Sequence, residues 1–521
     1  MRGESARRLA TFAASLRRYL RADADLEPSA VRIARDLETR SARFLELVQA
    51  TIHERPASPY AKLLRHAGTE PGDLVALVNE RGVEGALENL RDAGVHVTPD
   101  ELKGRVPIVR GSLVIEPAVA DFRNPLLGES VVALSGGTSG PPSPTVMVFD
   151  DLLEDAAYVR LWVEGAGLEG RPLVIWRGVP PSHSGLRGAL RALRTGLRLE
   201  NWSSPTPVAV RKRAPRDAVA LRVAWTLALA HGARLPWPRH VPLDRADVVA
   251  RHLERYVAAG RPSVLDATAG AAVRACRAAD RLGLDLSGTV VRTGGEPLTR
   301  DKAAAIARTG ASASCHYAAN EVGRIGFACA DPDAIDDVHI AEGRIAVIPG
   351  EHPGESDPRV LVSSISTTTK RVLLNVDIGD TAVLVRRTCG CPAGRAGLRL
   401  HAHTIRAAAK VTTDGTSILH GDLLELVERV LPGRFGGGPT DYQLVEGESD
   451  GVPRVSVVVS PRVGAVDEAE VVRTVLAHVG RGPSWRGMTA GVWRDGGTVV
   501  VHRREPHATH AGKLHAFHRQ P

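Results

Sequence analysis

From about residue 130 onward, short runs of branched and aliphatic residues alternate with helical patterns, and this alternation restricts the chain to a layered α/β body. The runs VVALS, RPLVIW, SGTVVRTGG, RIAVIP, RVLVSSIS and TAVLVRR are too short for helices and too apolar for loops. Segments of helical periodicity separate them, among them 151–163, 185–196 and 263–282. A strand–helix–strand rhythm builds a sheet covered by helices. The chain has 521 residues, 43% of them hydrophobic, enough for a large core and about two to four folding units. Whole-chain disorder is excluded.

Three regions follow. Residues 1–125 read as a helical N-terminal region packed on the large domain, 126–400 as the α/β core, and 401–521 as a small mobile α+β lid. A basic, glycine-containing stretch near 395–406 reads as the hinge. The lid is expected from a helix (GDLLELVERVLP), a strand (VPRVSVVVS), a second helix (EAEVVRTVLAHVG) and a last strand (GTVVVHR).

Leu9, Phe12, Leu16, Tyr19 and Leu20 recur at helical spacing, so the N-terminus reads as an amphipathic helix packed on the body. It lacks the uninterrupted apolar core of a signal peptide, and the longest apolar stretch, near Ala218–Ala230, is too short to span a bilayer. Five sparse cysteines exclude a disulfide scaffold, so a soluble cytoplasmic protein with reduced thiols is expected. The net charge of +8 is the small excess of 67 basic over 59 acidic groups. It is diffuse and not interleaved with aromatics, which speaks against a nucleic-acid partner. Only seven of the basic residues are lysines: Lys62, Lys103, Lys212, Lys302, Lys370, Lys410 and Lys513. Each lysine is therefore a rarer event than an arginine.

The segment Leu134–Pro144 reads LSGGTSGPPSP between two strand-like runs. Gly136, Gly137 and Gly140 permit close backbone approach, Ser135, Thr138 and Ser139 add hydroxyls, and successive amides there form an anion nest. No lysine gives it Walker spacing. Downstream come Arg292–Thr299 (RTGGEPLT) and His316–Gly326 (HYAANEVGRIG), each after a strand-like approach.

In this order the three segments resemble the adenylate-forming superfamily of acyl- and aryl-CoA synthetases. The resemblance implies a phosphate loop at Ser135–Gly140, adenine flanked by Gly294, Gly295, Glu296 and Pro297, and Tyr317 and Glu321 in the motif whose glutamate holds magnesium. Thr138 and Glu321 would then serve catalysis. Ala318 and Asn320 depart from that motif, which usually has glycine and Ser/Thr there. Val376–Asp380 (VDIGD) resembles the segment whose aspartate, here Asp380, binds the ribose hydroxyls; two carboxylate oxygens suit a vicinal diol. Arg406 stands at the place of the hinge arginine, although Ala407 and Ala408 replace the acidic residues that follow it. Thr509–Leu514 (THAGKL) resembles the family's ending, whose lysine, here Lys513, contacts the α-phosphate and carboxylate oxygens. His183 resembles a histidine near the carboxylate pocket, or is a loop histidine.

CGCPAGR at 389–395 resembles the phenylacetate-CoA ligase-like branch, some of whose members bind structural zinc. That implies Cys329, His339, Cys389 and Cys391 as ligands, with Cys315 as the substitute for His339; the alternative is four reduced thiols. The N-terminal region resembles the acyl-protein synthetase type. With no cysteine after Cys391, transfer to a diffusible thiol fits better than self-acylation. The resemblance thus implies ATP- and magnesium-dependent activation of an aryl or fatty acyl carboxylic acid. An acyl-adenylate forms with release of pyrophosphate, and the acyl group then passes to coenzyme A or a carrier-protein phosphopantetheine. A partner acyl carrier protein in secondary metabolism, or a degenerate nucleotide-binding scaffold, are the alternative functions, in a monomer or homodimer.

Overall fold

The computed structural model describes residues 2–22, 28–127, 132–135, 144–179, 184–207, 215–350, 358–407, 410–413, 416–419, 423, 425–438, 441–481, 484–507 and 517–519. Its centre is a twelve-stranded sheet. From one edge the strands are Ile345–Gly350, Arg359–Ser364, Val376–Arg386, Leu400–Ala407, Val338–Ile340, Gly323–Ala328, Ser312–Ala319, Val290–Gly294, Val264–Ala267, Pro172–Trp176, Arg198–Ser204 and Arg239–His240. The last six are parallel to one another and the others pair antiparallel.

The central parallel strands Pro172–Trp176 and Val264–Ala267 are buried on both faces, which is why PLVIW is a continuous apolar run. Val174, Trp176, Leu265 and Val291 enter one core with Val249, Leu253 and Val273 from the helices Ala246–Ala258 and Ala269–Arg281. Leu173, Ile175 and Val264 enter a second core with residues of Phe149–Gly165, Ser184–Ala192 and Pro215–Ala230. The N-terminal helix Arg2–Arg21 joins this second core through Phe12, Leu16 and Tyr19, and the Tyr19 hydroxyl donates to the Leu190 carbonyl at 2.9 Å. Its apolar face is thus spent on the body of the protein. No helix among the described residues is long and apolar enough to cross a membrane.

Two expectations change. Residues 263–282 are not one helix: Val264–Ala267 is a strand, and the helix begins at Ala269 behind Thr268, whose side chain accepts from the Ala271 amide. Four apolar-flanked residues carry no decisive period, and the N-cap threonine was the available signal. The hinge expected near 395–406 is largely a strand, because Leu400–Ala407 pairs with Val376–Arg386 and Val338–Ile340 inside the large sheet. The strand Leu400–Ala407 therefore belongs to the large sheet.

The C-terminal region has its own core, including Leu426, Leu444, Val457, Val475 and Trp493. Its four-stranded sheet has the order Val499–Arg503, Val452–Val459, Tyr442–Ser449, Phe517–Arg519, with helices Glu468–Val479 and Ser484–Asp495. The strand Tyr442–Ser449 was not expected, since its second half, EGES, is polar. That half carries the contact with the large body: Glu448 accepts from Thr299 Oγ1 at 2.7 Å and pairs with Lys302 Nζ at 2.8 Å, and Arg277 meets Asp450 at 3.4 Å.

Asn375 fastens the N-terminal helices to the sheet. Its backbone is left-handed (φ 48°), its amide donates to Ser363 Oγ at 2.8 Å, and its side-chain Nδ2 donates to the carbonyls of Leu87 (2.7 Å) and Val95 (3.1 Å). Both carbonyls would be stranded by truncation in a backbone that alanine tolerates poorly. Asn375→Ala should cost about 2–4 kcal/mol, read as a lowered urea midpoint.

Candidate active site and metal centre

The carboxyl ends of the parallel strands gather the motif residues. Gly294 ends its strand, and a Cβ there would lie 2.9 Å from the His316 carbonyl oxygen, so only glycine fits without a shift. The Gly294 carbonyl accepts from Arg177 Nη1 at 3.2 Å. Gly295 turns the chain with φ 86°. Glu296, buried, accepts from the Gly270 amide at 2.6 Å, at the start of the helix Ala269–Arg281. The Pro297 carbonyl accepts from Lys302 Nζ at 3.0 Å.

Tyr317 and Asp380 meet directly: the Tyr317 hydroxyl donates to Asp380 Oδ2 at 2.9 Å across 63 residues of sequence. Burial, and then the adjacent carboxylate, push the phenol far above its ordinary range. One rung along, Thr381 faces Arg406, whose Nη1 contacts Asp336 Oδ2 at 3.2 Å. Glu321 occupies the turn after the strand Ser312–Ala319, with Lys103 Nζ 3.9 Å from Oε1. Of the other expected site residues, Ser135 closes the strand Val132–Ser135 opposite Pro144. Gly136, Gly137, Thr138, Ser139, Gly140, His183 and Lys513 lie outside the described residues.

Lys370 was not singled out from the sequence. It is buried, and Glu321 and Asp151 lie within its electrostatic reach. Burial, reinforced by Arg187, pushes its ammonium down to about 7. The signal that could have found it is the scarcity of lysine. Because the unfolded chain holds this proton up to about pH 10.4 and the folded chain releases it near 7, folding stability should rise with pH between these values. The slope from this group is at most about 1.4 kcal/mol per pH unit, and Lys370→Met should remove it in urea titrations at pH 7 to 10.

The four expected zinc ligands come together. Cys329, His339, Cys389 and Cys391 are all buried, with their donor atoms within 4.8 Å of one another. His339 Nε2 lies 3.1 Å from Cys391 Sγ and 3.4 Å from Cys389 Sγ, and the two sulfurs of the C-x-C pair are 3.3 Å apart. The pair can converge because Gly394 makes room: a Cβ there would lie 2.5 Å from the Cys389 carbonyl oxygen and 2.7 Å from its sulfur. The amides of Asp331 and Gly394 donate toward Cys329 and Cys391 sulfur at 3.4 and 3.5 Å, which favours thiolate. Hydrogen bonding from Cys329, and then from His339, holds the Cys391 thiol far below its ordinary range despite burial. Three sulfurs and one imidazole in a closed, buried set suit tetrahedral zinc. Cys315, the substitute ligand, is not in this group; it is buried and burial pushes its thiol up to about 12. Purified protein should carry equimolar zinc by elemental analysis. Cys391→Ser should lose the metal and lower the melting midpoint, whereas Cys315→Ser should keep the metal.

No family model matches the chain, and no curated protein matches it. Among solved structures, the chain is similar to 2-hydroxyisobutyryl-CoA ligase in complex with 2-HIB-AMP and CoA in the thioesterification state. The identity is 13%, the match covers 93% of this chain and 90% of that chain, and the TM-score is 0.52. Similarity extends to the amide bond synthetase McbA from Marinactinospora thermotolerans (15% identity, 89% and 92% covered, TM-score 0.41). The chain thus shares the fold of that CoA ligase, a large α/β body followed by a smaller C-terminal domain.

Proposed function

We propose that the protein activates a carboxylic acid with ATP, forming an acyl-adenylate and pyrophosphate, and transfers the acyl group to a thiol, coenzyme A or a carrier-protein phosphopantetheine. The observation that supports this most is the Tyr317–Asp380 contact, which joins two motifs far apart in sequence within the matching fold.

In this reading Asp380 receives the ribose diol, with Tyr317 fixing one of its oxygens so that the other faces the sugar. Gly294 and Gly295 allow the adenine to approach the backbone beside Arg177. The loop Ser135–Gly140 cradles the phosphates with its amides and hydroxyls. The acid carboxylate attacks the α-phosphorus; the bond to the bridging oxygen breaks, and pyrophosphate leaves with the electron pair. Lys513 offsets the charge that builds on the non-bridging oxygens. Magnesium, when bound at Glu321, would neutralise phosphate charge; the cations around Glu321 fit this only when phosphate oxygens complete the site. The smaller domain then turns, withdrawing Lys513 and admitting the thiol, whose sulfur attacks the acyl carbon and expels AMP. Zinc at Cys329, His339, Cys389 and Cys391 is structural and takes no part in these steps.

Lys513→Ala should lose ATP–pyrophosphate exchange by about a hundredfold or more, yet form thioester from supplied acyl-adenylate. Undiminished exchange would remove the lysine from the mechanism.

A further inference from the structure

One face of the parallel sheet carries ions where the other carries aliphatic side chains. In register across four strands stand Ile175, Asp266, Arg292 and Ser314. Asp266 is paired with Arg177 Nε at 2.5 Å, Arg292 Nη1 at 3.4 Å and Arg191 Nη2 at 3.7 Å. Arg191 continues to Asp155 at 2.9 Å, Asp155 pairs with Arg324, and Arg324 Nη1 meets His316 Nδ1 at 3.1 Å. This network sets four guanidiniums against two carboxylates, and every side chain in it except that of Arg177 is at most 10% exposed. The neighbouring group is balanced, with Arg43, Arg187 and Arg344 against Asp36, Asp151 and Glu154. Arginine does not shed its proton in proteins, so the excess is a standing positive charge.

Four buried atoms of this network lack a hydrogen-bond partner among the described residues; Asp266 Oδ2 is an acceptor already flanked by Arg292 at 3.4 Å and Arg191 at 3.7 Å, and the other three are donors. Arg324 can only donate, so His316 Nδ1 accepts and its proton sits on Nε2. That Nε2, together with Nε of Arg292 and Nε of Arg191, is buried without a hydrogen-bond partner among the described residues. All three are donors awaiting an acceptor, and each costs desolvation until one arrives. Their place is also particular. The chain runs from Pro172–Trp176 to Arg198–Ser204 on one side, while Val264–Ala267 lies on the other side and leads to Val290–Gly294 and Ser312–Ala319. Arg177 and Asp266 therefore meet at the carboxyl ends of the two strands where the sheet's winding reverses, the position at which open α/β sheets take their ligands.

We propose that this crevice receives a carboxylate, and that the acid substrate is a small dicarboxylate whose second carboxylate is held by Arg292, Arg177 and the His316 Nε2–H. This deepens the adenylation reading and rests on it for the fate of the first carboxylate. An aryl or fatty acyl tail, as the resemblance implied, would leave the donors unpaired and the charge uncompensated.

The test is calorimetric titration of the full chain with malonate, succinate, glutarate and adipate, each against the monocarboxylate of equal carbon number, and with inorganic phosphate. One dicarboxylate should bind at least about tenfold more tightly than its monocarboxylate. Arg292→Gln should abolish that preference. Arg177→Met, at the more exposed rim, should weaken it and serves if Arg292→Gln does not fold. Equal affinity for both acids, or a preference that survives in the variants, overturns the proposal. Phosphate binding as tightly as the best dicarboxylate and lost in the same variants overturns the carboxylate assignment. Pyrophosphate exchange absent with every acid, while the dicarboxylate preference stands, would remove the adenylation reading and leave the site.

Discussion

Asp266 is the charge on which the ionic face of the sheet depends. Three guanidiniums lie within 4 Å of it, and burial alone would otherwise favour its protonated form. Arg177, then Arg292 and Arg191, hold it far below the usual carboxylate range. Strand parity fixes this arrangement. A slip of one residue would turn Asp266 and Arg292 into the core of Val174, Leu265 and Val291, where no counter-ion is available. Breaking such a buried pair costs about 3–5 kcal/mol, so the network enforces the register that positions Gly294 and His316.

Much of the large body was legible because several of its strands, Pro172–Trp176 and Ile345–Gly350 among them, are short apolar runs bounded by polar residues or glycine. The motif segments could be ordered without any structure, and the quartet Cys329, His339, Cys389 and Cys391 was implied by the resemblance carried by the C-x-C segment. Asp266 was hidden for two reasons. Its strand, VLDA, is short enough to merge with the helix behind it, and its partners stand at 177, 191 and 292, spacings that no periodicity connects. The same holds for Lys370, whose neighbours Arg187 and Asp151 come from helices about 180 and 220 residues upstream. Resemblance names residues that face a common ligand. It is silent on charges that lie outside its motifs.

Arginine and lysine take different places in the ion pairs of the large body. In the large body, Arg191 is buried between Asp155 and Asp266, where its planar fork serves two partners at once. Lysine appears at contacts between segments far apart in sequence. Lys302 reaches Glu448 of the C-terminal sheet and the Pro297 carbonyl of the loop expected beside adenine, so one ammonium ties the smaller domain to that loop. Lys103 stands against Glu321. A point charge on a flexible stem can release one partner and find another, which a bidentate pair cannot do without leaving a buried charge behind. Lys302 and Lys103 thus stand at contacts between segments far apart in sequence, whereas the arginine network ties strands and helices within the large body.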